Sequence, residues 1–141
     1  MNLIEYYKTP MKRFQLYKDS LNLYITNLTN YIVEEKTTNL GTYRKWSNGT
    51  LEMWGRQELT ECHLNIVNGG IVLSNGYTIQ LPYTSVSIIT GVSLCFRSTG
   101  AILASESTGG NGKDTIGFWL VGGVQTRING GLEFRCTGTW K

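Results

Sequence analysis

Charge and proline are what this chain has least of. Asp, Glu, Lys and Arg make up 16% of its 141 residues and proline occurs 2 times, against 17 glycines. So little charge excludes the extended, self-repelling composition of disordered segments and suits short strands joined by glycine turns. The net charge of +3 is small and scattered, with no basic run longer than Lys12-Arg13 or Arg44-Lys45. That distribution argues against a nucleic-acid partner. No apolar run approaches the roughly 18 residues needed to cross a bilayer, so no membrane partner is expected. A basic-then-apolar leader with a small-residue cleavage site is also missing. Cys62, Cys95 and Cys136 are odd in number and lack metal-ligand spacing. They are expected as buried small hydrophobes of a protein assembled in a reducing cytoplasm. His63 stands beside Cys62 without a further thiol or imidazole nearby, which is no zinc pattern. No metal and no cofactor are expected.

Glycine is abundant but unevenly placed. Residues 1–36 contain none, and all 17 fall from Gly41 onward. The division predicts an N-terminal helical stalk over 1–40 and a β head over 41–141. In the stalk, Thr9-Pro10 reads as an N-cap followed by proline at the first helical position. Met11, Ile25 and Ile32 then fall at heptad position a, with Phe14, Leu21 and Leu28 at d. Tyr17, Tyr24 and Tyr31 recur at g. So wide a seam suits three strands, which predicts a trimeric coiled coil. From Pro10 to Glu34 it would run roughly 37 Å at about 1.5 Å per residue. Leu16 and Leu23 fall on the outer f position, which a bare coiled coil does not use. The competing reading is one amphipathic helix packed on the β part.

The head shows period-two alternation between turn signals at Asn48-Gly49, Asn68-Gly69-Gly70, Asn75-Gly76, Gly109-Gly110-Asn111-Gly112, Gly122-Gly123 and Asn129-Gly130-Gly131. Ile116, Phe118 and Leu120 share a face. Leu132, Phe134 and Cys136 point opposite to Glu133, Arg135 and Thr137. Val86, Ile88, Val92, Leu94 and Phe96 share one parity. Roughly eight or nine short strands predict a mainly β fold, a jelly-roll-like β-sandwich.

The stretch GTYRKWSNGTLEMWGRQ, Gly41 to Gln57, is the most aromatic of these hairpins. A two-residue type I′ loop at Asn48-Gly49 would set Trp46 opposite Leu51, Lys45 opposite Glu52, Arg44 opposite Met53 and Tyr43 opposite Trp54. One face, with Trp46, is then expected to pack into the head. The other, with the Tyr43–Trp54 ring pair, is expected to meet a neighbouring subunit.

Catalytic chemistry is hard to assemble. Glu52, Glu58 and Glu61 are the candidates for a glycosidase carboxylate pair, but Lys45 is offered to Glu52 across the hairpin and strand-surface carboxylates are common. No catalytic residue is assigned and no enzyme is expected. The Gly109–Asp114 segment lacks the Gly-Lys-Ser/Thr ending and the following helix of a phosphate loop. It is expected as a flexible loop carrying recognition. Asn111, with the polar aromatics Tyr77, Tyr83 and Trp119, gives the candidate ligand-binding set for sugar stacking, core packing being the competing role of each ring.

Three segments carry a resemblance. Tyr43-Arg44-Lys45-Trp46-Ser47-Asn48-Gly49 with Glu52 and Trp54-Gly55, then Leu81-Pro82-Tyr83-Thr84-Ser85-Val86, and the ending Cys136-Thr137-Gly138-Thr139-Trp140-Lys141 resemble C-terminal domains of bacteriophage tail-fibre and receptor-binding proteins. The resemblance implies a homotrimer with a β-sandwich tip that binds a host-surface saccharide or protein. It supplies no fixed binding residues. Met1 lies about 40 residues before the tip, so the shaft is expected to be short and its N-terminal segment to dock on another virion protein. The expected function is that of a virion fibre binding a host receptor through its head. The alternatives are a structural head-fibre or capsid-decoration protein and, third, a polysaccharide-trimming tailspike-like enzyme.

Overall fold

Alternation with a period of two recurs in the longer strands of this computed structural model, which describes residues 14–22, 30–98, 100, 102–107 and 110–141. Contacts divide the chain into two units, Met1–Tyr31 and Ile32–Lys141. In the first, residues 14–22 form a helix with Phe14, Leu16, Tyr17 and Leu21 all exposed. Met11, Ile25 and Leu28 lie outside the described residues.

The second unit holds nine strands: β1 Ile32–Thr38, β2 Gly41–Trp46, β3 Thr50–Asn68, β4 Ile71–Ser74, β5 Tyr77–Gln80, β6 Thr90–Arg97, β7 Leu103–Glu106, β8 Thr115–Gly122 and β9 Thr126–Thr139. Ile32, expected on the stalk helix, is therefore a strand residue paired with Trp46. The β-branched pair Ile32-Val33 suits an extended backbone, and the β2 edge supplies the hydrogen bonds that a continued helix would have made internally.

All nine strands belong to one antiparallel sheet, in place of the two separate sheets of a jelly roll. The cause is the length of β3 and β9, 19 and 14 residues. The first part of β3 lies between β2 and β9, while its end pairs with β4. Strand β8 then receives β4 and β5 along one edge and β7 along the other, and β6 closes on β9.

Two irregularities re-aim β3 on its way. Thr60 and Glu61 together oppose Asn129, a bulge in which Glu61 takes φ 53° and its N–H donates to Asn129 Oδ1 at 2.7 Å. A second shift falls between Leu64 and Ile66. Bulges bend a strand and change which way its side chains point. Leu51, Met53, Cys62 and Leu64 of β3, Ile116, Phe118 and Leu120 of β8, and Leu132, Phe134 and Cys136 of β9 are each 4% exposed or less. Burial of such side chains contributes roughly 1.5–3 kcal/mol each for the larger ones, and the expected faces of β8 and β9 are the observed ones.

Two expectations fail, one of a turn and one of a strand. Asn129-Gly130-Gly131 lies inside β9. A Cβ on Gly130 would come 2.5 Å from the Arg97 carbonyl oxygen, and the Arg56 guanidinium passes over Gly131. These glycines permit close crossing instead of a turn. The segment from Val86 to Ile89 is not a strand either. Val86 and Ile88 are exposed while Ile89 is buried, because this loop bonds to the glycine-rich one. Leu81 N–H donates to Asp114 O at 2.7 Å, Ser85 N–H to Lys113 O at 2.7 Å and Ile89 N–H to Gly112 O at 3.0 Å.

Candidate functional site

The hairpin of β2 and β3 turns through three residues, one more than the Asn-Gly signal predicts. Gly49 N–H donates to Trp46 O at 3.0 Å, Gly49 alone in the loop has positive φ (94°), and Thr50 N–H donates to Asn48 Oδ1 at 2.9 Å. The pairing becomes Thr42 with Trp54, Tyr43 with Met53, Arg44 with Glu52 and Lys45 with Leu51. A slip of one residue exchanges the faces of one strand against the other. The expected register would have buried Arg44 beside Leu51 and Met53, and a desolvated guanidinium is costly. The observed one buries Tyr43 there instead. Tyr43 and Trp54 therefore point to opposite faces, and the ring pair proposed to meet a neighbouring subunit does not form. The type I′ geometry occurs instead at Gly69-Gly70, both with positive φ, between the paired Asn68 and Ile71.

On the inner face the Lys45 ammonium sits 4.1 Å from the Tyr83 ring centre, 5.3 Å from Tyr43 and 5.8 Å from Trp140. Glu34 of β1 accepts from Lys45 at 2.5 Å and from the Tyr43 hydroxyl at 2.8 Å. These two bonds, Lys45 first, hold the Glu34 carboxyl below its ordinary range. The same bond to Glu34, then burial, pushes Tyr43 up. Burial alone would pull Lys45 down, but its bonds to Glu34 and Tyr83 and its charge partners outweigh it and the net shift is upward. The chain end closes this unit: Trp140 Nε1 donates to Trp46 O at 2.7 Å and Trp140 N–H to Gly49 O at 3.1 Å.

On the outer face the Arg44 guanidinium lies 5.6 Å from the Trp46 ring centre and 5.2 Å from that of Trp54. Its Nε donates to Glu35 at 2.6 Å, and its Nη1 is 3.7 Å from Glu52. Arg135 of β9 reaches Glu52 from the other side at 3.8 Å. Arg44, Glu52, Trp54 and Arg135 line a cleft of about 220 Å³. Both indoles are half-buried. The arrangement offers an aromatic face beside guanidinium donors and carboxylate acceptors, which is the equipment of polar-ligand recognition.

The sequence-derived binding residues are dispersed. Tyr77 accepts from His63 N–H at 2.8 Å and packs 5.9 Å from Phe118. Tyr83 packs 4.9 Å from Tyr43. Both rings pack against the core. Trp119 is half-buried opposite Ser105. Asn111 donates to Glu106, while its Oδ1 is buried without a partner. None of the four lines the hairpin cleft, nor a larger groove of about 680 Å³ bordered by Ile102, Val124, Thr126, Arg127 and Asn129. The carboxylate candidates are each paired, Glu58 with Arg56 at 2.7 Å and Glu61 with Arg127 at 3.2 Å. Cys62 and Cys136 are buried, and burial pushes the Cys136 thiol up to about 12. Cys95, expected inside, is exposed on β6, and all three thiols are free.

A second outer surface is apolar. Ile66 pairs with Leu73, Leu73 with Val121, and Val121 with Leu103, so the four side chains stand in one row across β3, β4, β8 and β7. Leu103 is 71% exposed.

No protein-family model and no curated protein matches the chain. Solved structures similar to it include a C-terminal fragment of the P. aeruginosa R1 pyocin fibre, with a TM-score of 0.54 and 14% identity over 75% of this chain. The match takes in 28% of that fragment, so the chain spans well under half of its length. An N-truncated R1-type pyocin tail fibre aligns at a TM-score of 0.48 and 15% identity, over 75% of this chain and 86% of that one. The first of these likenesses shows that the head has a β fold like that of the pyocin fibre fragment.

Proposed function

We propose that this chain is a phage-type virion fibre protein, a homotrimer whose head binds a host-surface receptor, saccharide or protein, without catalysing a reaction on it. The observation that carries the reading is the likeness of the head to the R1 pyocin fibre fragment. A second feature supports it. The two ends of the sequence that resemble fibre tips, the Trp46 hairpin and the Trp140-Lys141 ending, clasp each other in space. The trimer is supported by the row Ile66, Leu73, Val121 and Leu103, since contiguous exposed apolar surface marks an interaction face. The N-terminal unit is the part left to dock on another virion protein.

The test is direct. Light scattering on the purified chain should give about three times 15.8 kDa, and a fluorescently labelled preparation should adsorb to cells of at least one strain in a bacterial panel without releasing oligosaccharide from them. A clean monomer at micromolar concentration, or adsorption to none of the panel, would remove the reading.

A further inference from the structure

The cleft on the outer face of the hairpin is walled by opposite charges that do not complete one another's hydrogen bonds. Charge-assisted N–H···O bonds run about 2.7–2.9 Å, and Arg44 makes one of that class with Glu35 at 2.6 Å. Its approach to Glu52 is 3.7 Å, and that of Arg135 is 3.8 Å. Glu52 is therefore bracketed by two guanidiniums yet bonded closely to neither. All three side chains line one small cleft.

The lining holds Arg44, Arg135 and Glu52, and Glu35 offsets Arg44 from outside that lining, so the local charges balance. An anionic ligand would have to lie against Glu52, and a cationic one against two guanidiniums. A neutral group with adjacent hydroxyls meets neither repulsion. One hydroxyl donates to Glu52 while its neighbour accepts from Arg135 or Arg44, and the ligand's C–H face lies on the part of the Trp54 indole that lines the cleft. We infer that this cleft binds a single neutral pyranose ring carrying vicinal hydroxyls, a unit of a host-surface glycan. The inference rests on the receptor-binding reading and names the ligand class and the residues that take it. Size agrees: about 220 Å³ is below the roughly 300–1,000 Å³ of sites that enclose drug-sized ligands, which suits one ring and leaves the rest of a glycan outside.

The experiment titrates the full chain with neutral methyl pyranosides and with the uronic-acid counterpart of each, following the tryptophan indole N–H signals. At least one neutral glycoside should give a saturable shift of the Trp54 signal that survives added salt, because no net charge is neutralised. The matching uronide should bind more weakly. Arg135→Ala and Glu52→Gln should each weaken the neutral glycoside by about tenfold or more, the loss expected for one hydrogen bond to a charged group. The Arg135 side chain is 70% exposed, so its variant should melt with the parent and its loss of binding would report a lost contact. Tighter binding of uronides, neutral binding untouched by both variants, or no response to any glycoside would overturn the inference. If Arg135→Ala still adsorbs to cells as the parent does, the receptor reading survives and its site lies elsewhere; if the parent adsorbs to nothing, the receptor reading itself falls.

Discussion

The two halves of one sheet turn opposite chemistries outward. Across β1, β2, β3 and β9 the registered row reads Glu35, Arg44, Glu52 and Thr137. Across β3, β4, β8 and β7 it reads Ile66, Leu73, Val121 and Leu103. Strand β3 runs through both, and the bulges at Glu61 and between Leu64 and Ile66 divide them. An antiparallel sheet normally keeps one face wet, and the first half does. The second half is apolar on its inner and outer faces alike, as a subunit interface would be. The two resets cancel, so Glu52 and Ile66 both face outward, and the residues placed there, not the phase, make the two surfaces differ.

The comparison breaks most visibly at Leu103. Placing a charge there by Leu103→Lys should leave the single head folded, since the side chain is exposed, but should dissociate the proposed trimer. An unpaired charge in a buried contact costs roughly 3–5 kcal/mol, so sedimentation should show monomer at concentrations where the parent is trimeric. Trimer persistence would mean that the apolar row faces water. The converse change is Trp54→Ala on the polar half. A half-exposed ring that shares a guanidinium should cost less than the roughly 3–5 kcal/mol of a buried tryptophan, and the trimer should persist. Loss of assembly in this variant would return the hairpin face to the subunit contact.

Acid provides a third, smaller lever. Because the Glu34 pKa is depressed in the fold, its stabilising bonds to Lys45 and Tyr43 are fully present above the ordinary carboxylate range and are lost as pH falls through the lowered value. Thermal melting of the parent should therefore drop more steeply than that of Glu34→Gln as pH falls below the ordinary carboxylate range. Equal slopes would show that the pair does not hold β1 on β2. Thiol labelling gives the finest reading. In the native state Cys95 should react with a maleimide while Cys62 and Cys136 stay silent until the fold opens, as thiolate character and access both require. Prompt labelling of all three would contradict the burial of the core.

Much of this was legible from residue order. Leu132, Phe134 and Cys136 alternate with Glu133, Arg135 and Thr137, and β9 follows that pattern. Ile116, Phe118 and Leu120 likewise declare the inner face of β8. The site was less readable. The two-residue loop that Asn48-Gly49 signals puts Arg44 on the inner face, and only the core's preference for Tyr43 over a guanidinium decides against it. Glu34 and Glu35 were hidden inside a heptad that continues through Ile32, although these residues pair with β2. Arg135 could be seen to point outward, but its meeting with Glu52 depends on β3 and β9 lying side by side, which no local pattern encodes. Gly130 and Gly131 mislead for a related reason, since a glycine kept for a close crossing looks the same in sequence as one kept for a turn.

The pairing of β3 with β9 sets the pace at which this head comes together. Thr50 lies beside Thr139 and Leu64 beside Thr126, so the central ladder joins residues from distant parts of the chain. Loop closure has to precede any reward from those bonds, which places folding on the order of milliseconds to seconds, as in other sheets built from non-local pairs. The same ladder resists opening. Neither long strand can peel from an edge, because β2 and β4 flank one and β6 flanks the other. Among the described strands, fraying should begin at β1, β5, β6 and β7, and the amide protons at the centre of the head should exchange most slowly.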